Sequence, residues 1–334
     1  MTNLGIIGAG RIGKLHAESI SQRLPGACVK LIADPFMNDD TRDWAKKLGI
    51  GGCAEDYREL LHDPSIDAVL ICSSTDTHAP ISLEVIAAGK HVFCEKPVSQ
   101  DLGEILKVKD ALKNSSVKYQ VGFNRRFDHN FKAVRTAIEQ GQIGTQRTIK
   151  ITSRDPGPPP ISYIETSGGM FMDMTIHDFD MLRYLAGCEA DTVFVQAANL
   201  VDPAIGTAGD IDTALITITM KNGAIALIDN CREASYGYDQ RVEVLGSLGQ
   251  IATGNDTLST AVLSTAGGVC AEKPLHFFLE RYMDSFVQEM KEFISAIEDD
   301  LPVPVGIEDG LQSVLMAMAA QRSLKEGRPV SVEK

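Results

Sequence analysis

Residues 4–34 read LGIIGAGRIGKLHAESISQRLPGACVKLIAD, and their order decides the fold. The apolar run LGII at 4–7 predicts a short strand. Gly8, Gly10 and Gly13 follow at once in GxGxxG spacing. Lys14 to Arg23 then reads as a helix, and Val29 to Ala33 as a second strand that stops at Asp34. Strand, glycine turn, helix and strand, with an acid about 20 residues beyond the glycines, make the fingerprint of a dinucleotide site. Each part meets a physical need. Gly8 allows the tight turn, Gly10 lets the backbone approach a pyrophosphate, and Gly13 lets helix and strand pack closely. The free N–H groups of the helix start, from Arg11 and Ile12, meet the phosphate charge. Asp34 accepts hydrogen bonds from ribose hydroxyls and disfavours a 2′-phosphate. Pro35-Phe36 supplies no adjacent cation, so the cofactor is read as NAD rather than NADP.

The alternation continues beyond Asp34. Helices are expected at 41–48 and 57–61, and a buried strand at 68–73. Ser74 to His78 reads as a polar loop, with Pro80 opening a helix to Ala88. A strand at 91–94 runs into Glu95-Lys96-Pro97, followed by a helix at 102–112 and a strand at 119–122. Repetition of this kind implies a doubly wound parallel sheet, which binds ligands at the carboxyl ends of its strands. Asp34, Ser73, Ser74, Thr75, Glu95 and Lys96 all fall at such ends. His78 either touches the cofactor or caps the next helix.

Phe123 to Phe127 marks a change of pattern. After a helix to about Gln140 come longer alternating strands near 145–153, 192–200, 211–220, 223–232, 241–246 and 257–264, with Lys221-Asn222-Gly223 as a hairpin turn. Helices at 277–298 and 308–324 close the chain. The expected architecture is α/β plus α+β: a Rossmann domain over 1–123, and over 124–334 an open, mainly antiparallel sheet domain for substrate binding and oligomerisation. The sheet face its helices leave bare is partly apolar, which predicts self-association.

Bulk composition narrows the partners. The 334 residues suffice for two cores, with 44% apolar and 23% charged side chains. A net charge of −13 and no Lys/Arg cluster argue against nucleic acid and anionic membranes as partners. No apolar run approaches a membrane span. Cysteines at 28, 53, 72, 94, 188, 231 and 270 include no CxxC; Cys72, Cys94 and Cys231 read as small core residues. That usage, with a first strand at Asn3 or Leu4 that leaves no room for a signal peptide, predicts a reduced, cytoplasmic protein without disulfides. Trp44 is expected to pack on a helix of the first domain.

The second landmark is SGGMFMDMTIHDFDMLRYLA at 167–186. It predicts one amphipathic helix with Met170, Met174, Met181 and Leu185 in a stripe that Phe171 and Leu182 widen. Asp173 and His177 fall one turn apart on the same face, and Asp180 follows on that edge. A carboxylate beside an imidazole fixes its tautomer and raises its basicity. Standing alone, such a pair could be a surface contact of about 0.2–0.5 kcal/mol, or Asp173, His177 and Asp180 could hold a metal. A nucleotide site that already supplies a cofactor argues against the metal.

GAGRIG after the first strand, Glu95-Lys96-Pro97 after a later one and Asp173-xxx-His177 in the second domain resemble one family over essentially the whole chain. It is the glucose–fructose oxidoreductase and inositol dehydrogenase family (Gfo/Idh/MocA). Arg154-Asp155-Pro156 with the proline run to Pro160, the stretch SGGMFMDMTIHDFDM, and Tyr236-Gly237-Tyr238-Asp239 are similar to its inositol 2-dehydrogenases. The resemblance implies a homo-oligomer, dimer or tetramer. It also implies NAD-dependent oxidation of an inositol hydroxyl, with a catalytic set at Lys96, Asp173 and His177. His177, with a free pKa of about 6.5, suits a general base. Asp173 would orient it, and Lys96 would stabilise negative charge on the reacting oxygen. Lys96, Arg126, Asp155, Asp173, His177 and Tyr236 are the candidates for binding a neutral polyol. The other readings are an aldose or other polyol dehydrogenase and a non-catalytic NAD-binding sensor.

Overall fold

The computed structural model describes residues 1–333. From the N-terminus, strand and helix alternate: β1 (Thr2–Ile7), α1 (Arg11–Arg23), β2 (Ala27–Ala33), α2 (Asp39–Lys47), β3 (Cys53–Ala54), α3 (Arg58–His62), β4 (Ala68–Ile71), α4 (Thr75–Ala87), β5 (His91–Glu95), α5 (Leu102–Leu112) and β6 (Tyr119–Gly122). Their sheet has the order β3-β2-β1-β4-β5-β6 with every pair parallel. β4 reads AVLI and is buried throughout, as a strand covered on both faces must be. The order reverses between β1 and β4, so the loops leaving these two strands part and open a crevice at their carboxyl ends.

The chain then forms α6 (His129–Glu139), β7 (Gln146–Arg154), α7 (Ile161–Ser167), α8 (Gly169–Asp173), α9 (Thr175–Ala186), β8 (Ala190–Ala198), α10 (Pro203–Thr207), β9 (Thr213–Met220), β10 (Ile225–Cys231), β11 (Asp239–Gly246) and β12 (Gln250–Ala252). An exposed hairpin, β13 (Val262–Thr265) and β14 (Gly268–Ala271), precedes α11 (Phe278–Arg281), α12 (Met283–Glu298), α13 (Ile307–Glu326) and β15 (Val330–Ser331). The second sheet has the order β12-β11-β7-β10-β9-β8-β15. It is antiparallel except for the β7–β10 pair. That pair is parallel because β7 and β10 are joined by a long excursion through α7 to β9, not by a hairpin.

Two units result: residues 1–124 with 284–312, and residues 125–283 with 313–334. The sequence reading put 284–312 in the second domain. Instead Met290, Phe293 and Ile294 of α12 join Leu4, Ile6, Leu70 and Phe93 in the core of the first unit. The periodicity of α12 shows that it has an apolar stripe, not which core receives it. Trp44 packs against this core, with its indole N–H donated to Glu18 at 3.0 Å.

Three local expectations are corrected. α4 starts at Thr75, ahead of Pro80, because Ser74 O accepts both the backbone N–H (2.9 Å) and the hydroxyl (2.7 Å) of Thr77, closing a first turn. The strand expected at 257–264 is the hairpin strand β13, outside the main sheet. The single helix expected over 170–186 is broken, as described below.

In the second sheet one face carries buried Ile149, Ile151, Ile216, Ile218, Ile228 and Val244. On the other, Leu215 is 48% exposed, Ile225 57% and Leu245 37%. No helix among the described residues is long and apolar enough to cross a membrane. All seven cysteines are free.

Candidate active site

The nucleotide end lies in the first unit. Gly8 has φ +98°, and a Cβ there would stand 2.6 Å from the carbonyl oxygen of Cys72. Only glycine therefore lets the ends of β1 and β4 meet at the switch point. A Cβ on Gly13 would stand 1.9 Å from the carbonyl oxygen of Gly8, so α1 can pack on the turn only without a side chain. Gly10 differs: no protein atom lies within 4 Å of its Cβ position. The space beside it is left for a ligand. α1 has no side-chain cap and no acid in its first turn, so its N-terminal amides around Arg11 and Ile12 face that space ready for an anion. Asp34 binds the same turn. Its Oδ2 accepts the Ala9 N–H at 2.7 Å and its Oδ1 the Phe36 N–H at 2.8 Å. Each oxygen keeps a further lone pair for a ribose hydroxyl. These residues fit a dinucleotide.

Ser73, Ser74 and Thr75 lead from β4 into α4, with the hydroxyls of Ser73 and Thr77 2.6 Å apart. Glu95 ends β5, and its Oε1 lies 2.8 Å from Nε2 of buried His16. Lys96, half-buried, follows on the turn. His78 is only 2% exposed, with Nδ1 2.8 Å from the Pro97 carbonyl and Nε2 3.1 Å from the Ser73 carbonyl. Two carbonyls satisfy both ring nitrogens only when each carries a proton. Burial opposes that charge, but Cys94 and the two carbonyls favour it, and the imidazole's pKa rises to about 9. His78 thus ties the end of β4 to the Lys96-Pro97 turn from behind.

The second unit holds the Asp–His segment. α7 ends in left-handed Gly168 (φ +84°), and Gly169 (φ +79°) opens the short α8. The helix breaks at Met174 (φ −93°, ψ −60°), and α9 runs from Thr175 to left-handed Gly187. The expected amphipathic stripe is absent because nearly every side is covered. Of residues 170–186, only Asp173, His177 and Tyr184 are not buried. Asp173 accepts from the Tyr163 hydroxyl at 2.8 Å and from Nη1 of Arg232 at 3.4 Å.

Buried polar groups seat α9 on the sheet. Asp178 accepts from Arg125 Nη1 at 2.7 Å and from Asn230 Nδ2 at 2.8 Å, and the Thr175 hydroxyl donates to Asn230 at 2.6 Å. Asp180 is buried, unlike Asp173 and His177. The Arg126 guanidinium forks onto it at 2.8 and 2.6 Å, so both residues are held in a buried ion pair. The Tyr236 hydroxyl donates to Asp239 at 2.6 Å and accepts from Arg154 at 2.9 Å. Asp155 follows β7, stitched by its backbone to Cys231 and Ala234. Burial drives the carboxyl of Asp155 up to about 6, while Arg232 and Arg125 pull it down and Asp173 and Asp178 push it further up.

Arg125, Asp178 and Arg232 escaped the sequence reading. None sits in a spacing motif; their pairing depends on segments 50 or more residues apart.

A switch-point crevice with a glycine turn shaped for a pyrophosphate, in a chain whose second unit leaves an Asp and a His half-buried in an otherwise buried segment, defines a dinucleotide-dependent oxidoreductase. A profile described as oxidoreductase family, NAD-binding Rossmann fold, matches residues 2–123, and one described as oxidoreductase family, C-terminal alpha/beta domain, matches residues 135–332. The chain belongs to this Gfo/Idh/MocA family, and its cofactor is NAD. It is 52% identical over 329 residues to the uncharacterized oxidoreductase YrbE of Bacillus subtilis, covering 98% of this chain and 96% of that one. It is 47% identical over 330 residues to the myo-inositol 2-dehydrogenase of Thermotoga maritima, covering 99% and 98%. Among solved structures it superposes with a TM-score of 0.92, at 30% identity and 99% coverage of both chains, on the scyllo-inositol dehydrogenase of Lactobacillus casei with bound NAD(H) and scyllo-inositol.

Proposed function

We propose that the protein is an NAD-dependent inositol dehydrogenase that oxidises one ring CH–OH of myo-inositol, or of a stereoisomer such as scyllo-inositol, to the ketone. The observation that carries the reading is the selective opening of Asp173 and His177 from a segment whose other polar and apolar side chains, Tyr184 apart, are all buried. NAD, when bound, accepts the hydride. The protein's own residues handle the proton and the charge. His177 takes the hydroxyl proton as general base. Asp173 holds the imidazole and favours its protonated form. Lys96 donates to the same oxygen as negative charge develops on it. Asp155 accepts from a neighbouring hydroxyl of the polyol. Arg126 and Tyr236, engaged with Asp180 and Asp239, border the polyol through the side-chain surface their ion pairs leave open.

The uncovered sheet face, with Leu215, Ile225 and Leu245, meets a second copy of the chain, giving a dimer or tetramer. The enzyme is read as working in the reducing cytoplasm, and its seven free cysteines support that reading.

The test is NADH production against myo-, scyllo- and chiro-inositol and glucose. The inositols are expected to turn over faster than glucose; the reverse order makes it an aldose dehydrogenase. NAD binding without turnover of any of them makes it a sensor. His177→Ala is expected to lower kcat by about 10²–10⁴ with NAD affinity retained.

A further inference from the structure

Arg232 follows β10 directly and is 1% exposed, heading the largest fully buried side chains of the molecule. Its backbone N–H donates to the Asp212 carbonyl at 2.8 Å, so its root is fixed. Its guanidinium then reaches two carboxylates on different segments. Nη1 lies 3.4 Å from Oδ2 of Asp173, and Nη2 lies 3.5 Å from Oδ2 of Asp210. Asp210 in turn accepts the Met170 N–H through Oδ1 at 2.9 Å. Met170 stands at the start of α8 and Asp173 at its end. One cation therefore holds this five-residue helix at both ends, directly at Asp173 and through Asp210 at Met170.

A buried guanidinium is costly, and neither Nε nor Nη2 has a hydrogen-bond partner among the described residues, so Nη2 and Asp210 attract through charge alone. A buried cation with two donors unmet is weak evidence of a stabilising role, which leaves its contact with Asp173 as the feature to account for. We infer that Arg232 is a positioning residue for the reaction: it sets the placement and charge of Asp173, and through Asp173 the basicity of His177. The inference rests on the proposed roles of Asp173 and His177. The charged groups that face Asp173 come from several elements. Arg232 follows β10, Tyr163 lies on α7 and Asp155 follows β7, and His177, whose link to Asp173 is part of the proposed roles, lies on the helix after the break.

The sign of the pH effect follows from this arrangement. Without the cation, the carboxyls of Asp173 and Asp155 keep their protons to higher pH. Wherever they do ionise, their unneutralised charge raises the pKa of His177. Both effects move the acid limb of the rate profile upward.

The experiment measures kcat, KM, NAD affinity and the pH profile of kcat/KM for the inositol the wild type turns over best, in Arg232→Met, Arg232→Lys, Asp173→Asn and the double variant Asp173→Asn/Arg232→Met. Arg232→Met is expected to lose about 10–100-fold in kcat with NAD affinity kept and the acid limb moved to higher pH. Arg232→Lys keeps the charge but cannot span both carboxylates, so it should lose kcat with the acid limb near its wild-type position. In the Asp173→Asn background, Arg232→Met should add less than about a threefold further loss, since the residue acts through Asp173. Wild-type kcat and an unmoved acid limb in Arg232→Met overturn the inference, as does a fully multiplicative double variant. Should Arg232→Met fail to fold, Arg232→Lys decides: an unchanged kcat overturns the inference and a lowered one with a fixed limb supports it. A wild type that oxidises no inositol refutes the proposed function instead, which is a separate outcome.

Discussion

Asp155 shows how one buried carboxyl couples the pocket to stability. Burial raises its pKa from 3.8 to about 6 against the pull of two arginines. A carboxyl whose folded pKa lies above its unfolded one binds its proton more tightly in the native state. Its contribution is complete below pH 3.8 and is lost as pH rises through about 6. Asp155→Asn is therefore expected to leave stability unchanged near pH 4 and to raise it near pH 8, by up to about 3 kcal/mol. Thermal melts of both proteins at pH 4, 6 and 8 check this; a difference that does not grow with pH contradicts it. Asp155 was legible as a candidate because it precedes the proline run. Its neighbours Arg232 and Arg125 were not, since a lone arginine in sequence does not reveal which distant carboxylate it meets.

At the scale of elements, the glycine turn separates folding from binding. Gly13→Ala places a methyl 1.9 Å from the Gly8 carbonyl, backbone against backbone, so α1 must shift. The expected cost is more than about 2 kcal/mol, with NAD binding lost. Gly10→Ala meets no protein atom within 4 Å, so it should fold as the wild type does yet bind NAD more weakly. Calorimetry and an NAD titration on the two variants distinguish the roles. This contrast was readable from spacing alone, because strand, turn and helix are neighbours in the chain. The break at Met174 was not. The segment reads as one helix, but the interruption comes with burial of every residue of 170–186 except Asp173, His177 and Tyr184, and with Arg232 and Asp210 gripping the short α8. Those are long-range facts that a helical repeat does not encode.

For the whole molecule, the bare face of the second sheet is the proposed seat of association, with Leu215, Ile225 and Leu245 exposed on it. Along β9 the buried residues alternate with exposed ones, and on the bare side Leu215 lies opposite Asp229 of β10. Leu215→Glu is expected to weaken self-association by about 10–100-fold, through lost apolar burial and an added charge. Sedimentation equilibrium over a range of concentrations checks it. A wild type that stays monomeric at micromolar concentration contradicts the proposed interface.

Local code determined the first unit down to its cofactor. Glycine spacing, strand-ending acids and the strict alternation of strands and helices act between residues close in the chain, so they survive in the sequence unchanged. It also determined that the second unit is a mostly antiparallel sheet with a helical Asp–His segment over it. Tertiary structure alone decided that 284–312 belong to the first unit, that Asp180 serves Arg126, and that Arg232 grips Asp173. These outcomes depend on which buried charge finds which partner, and a buried charge pairs with whatever distant group the completed fold brings within reach.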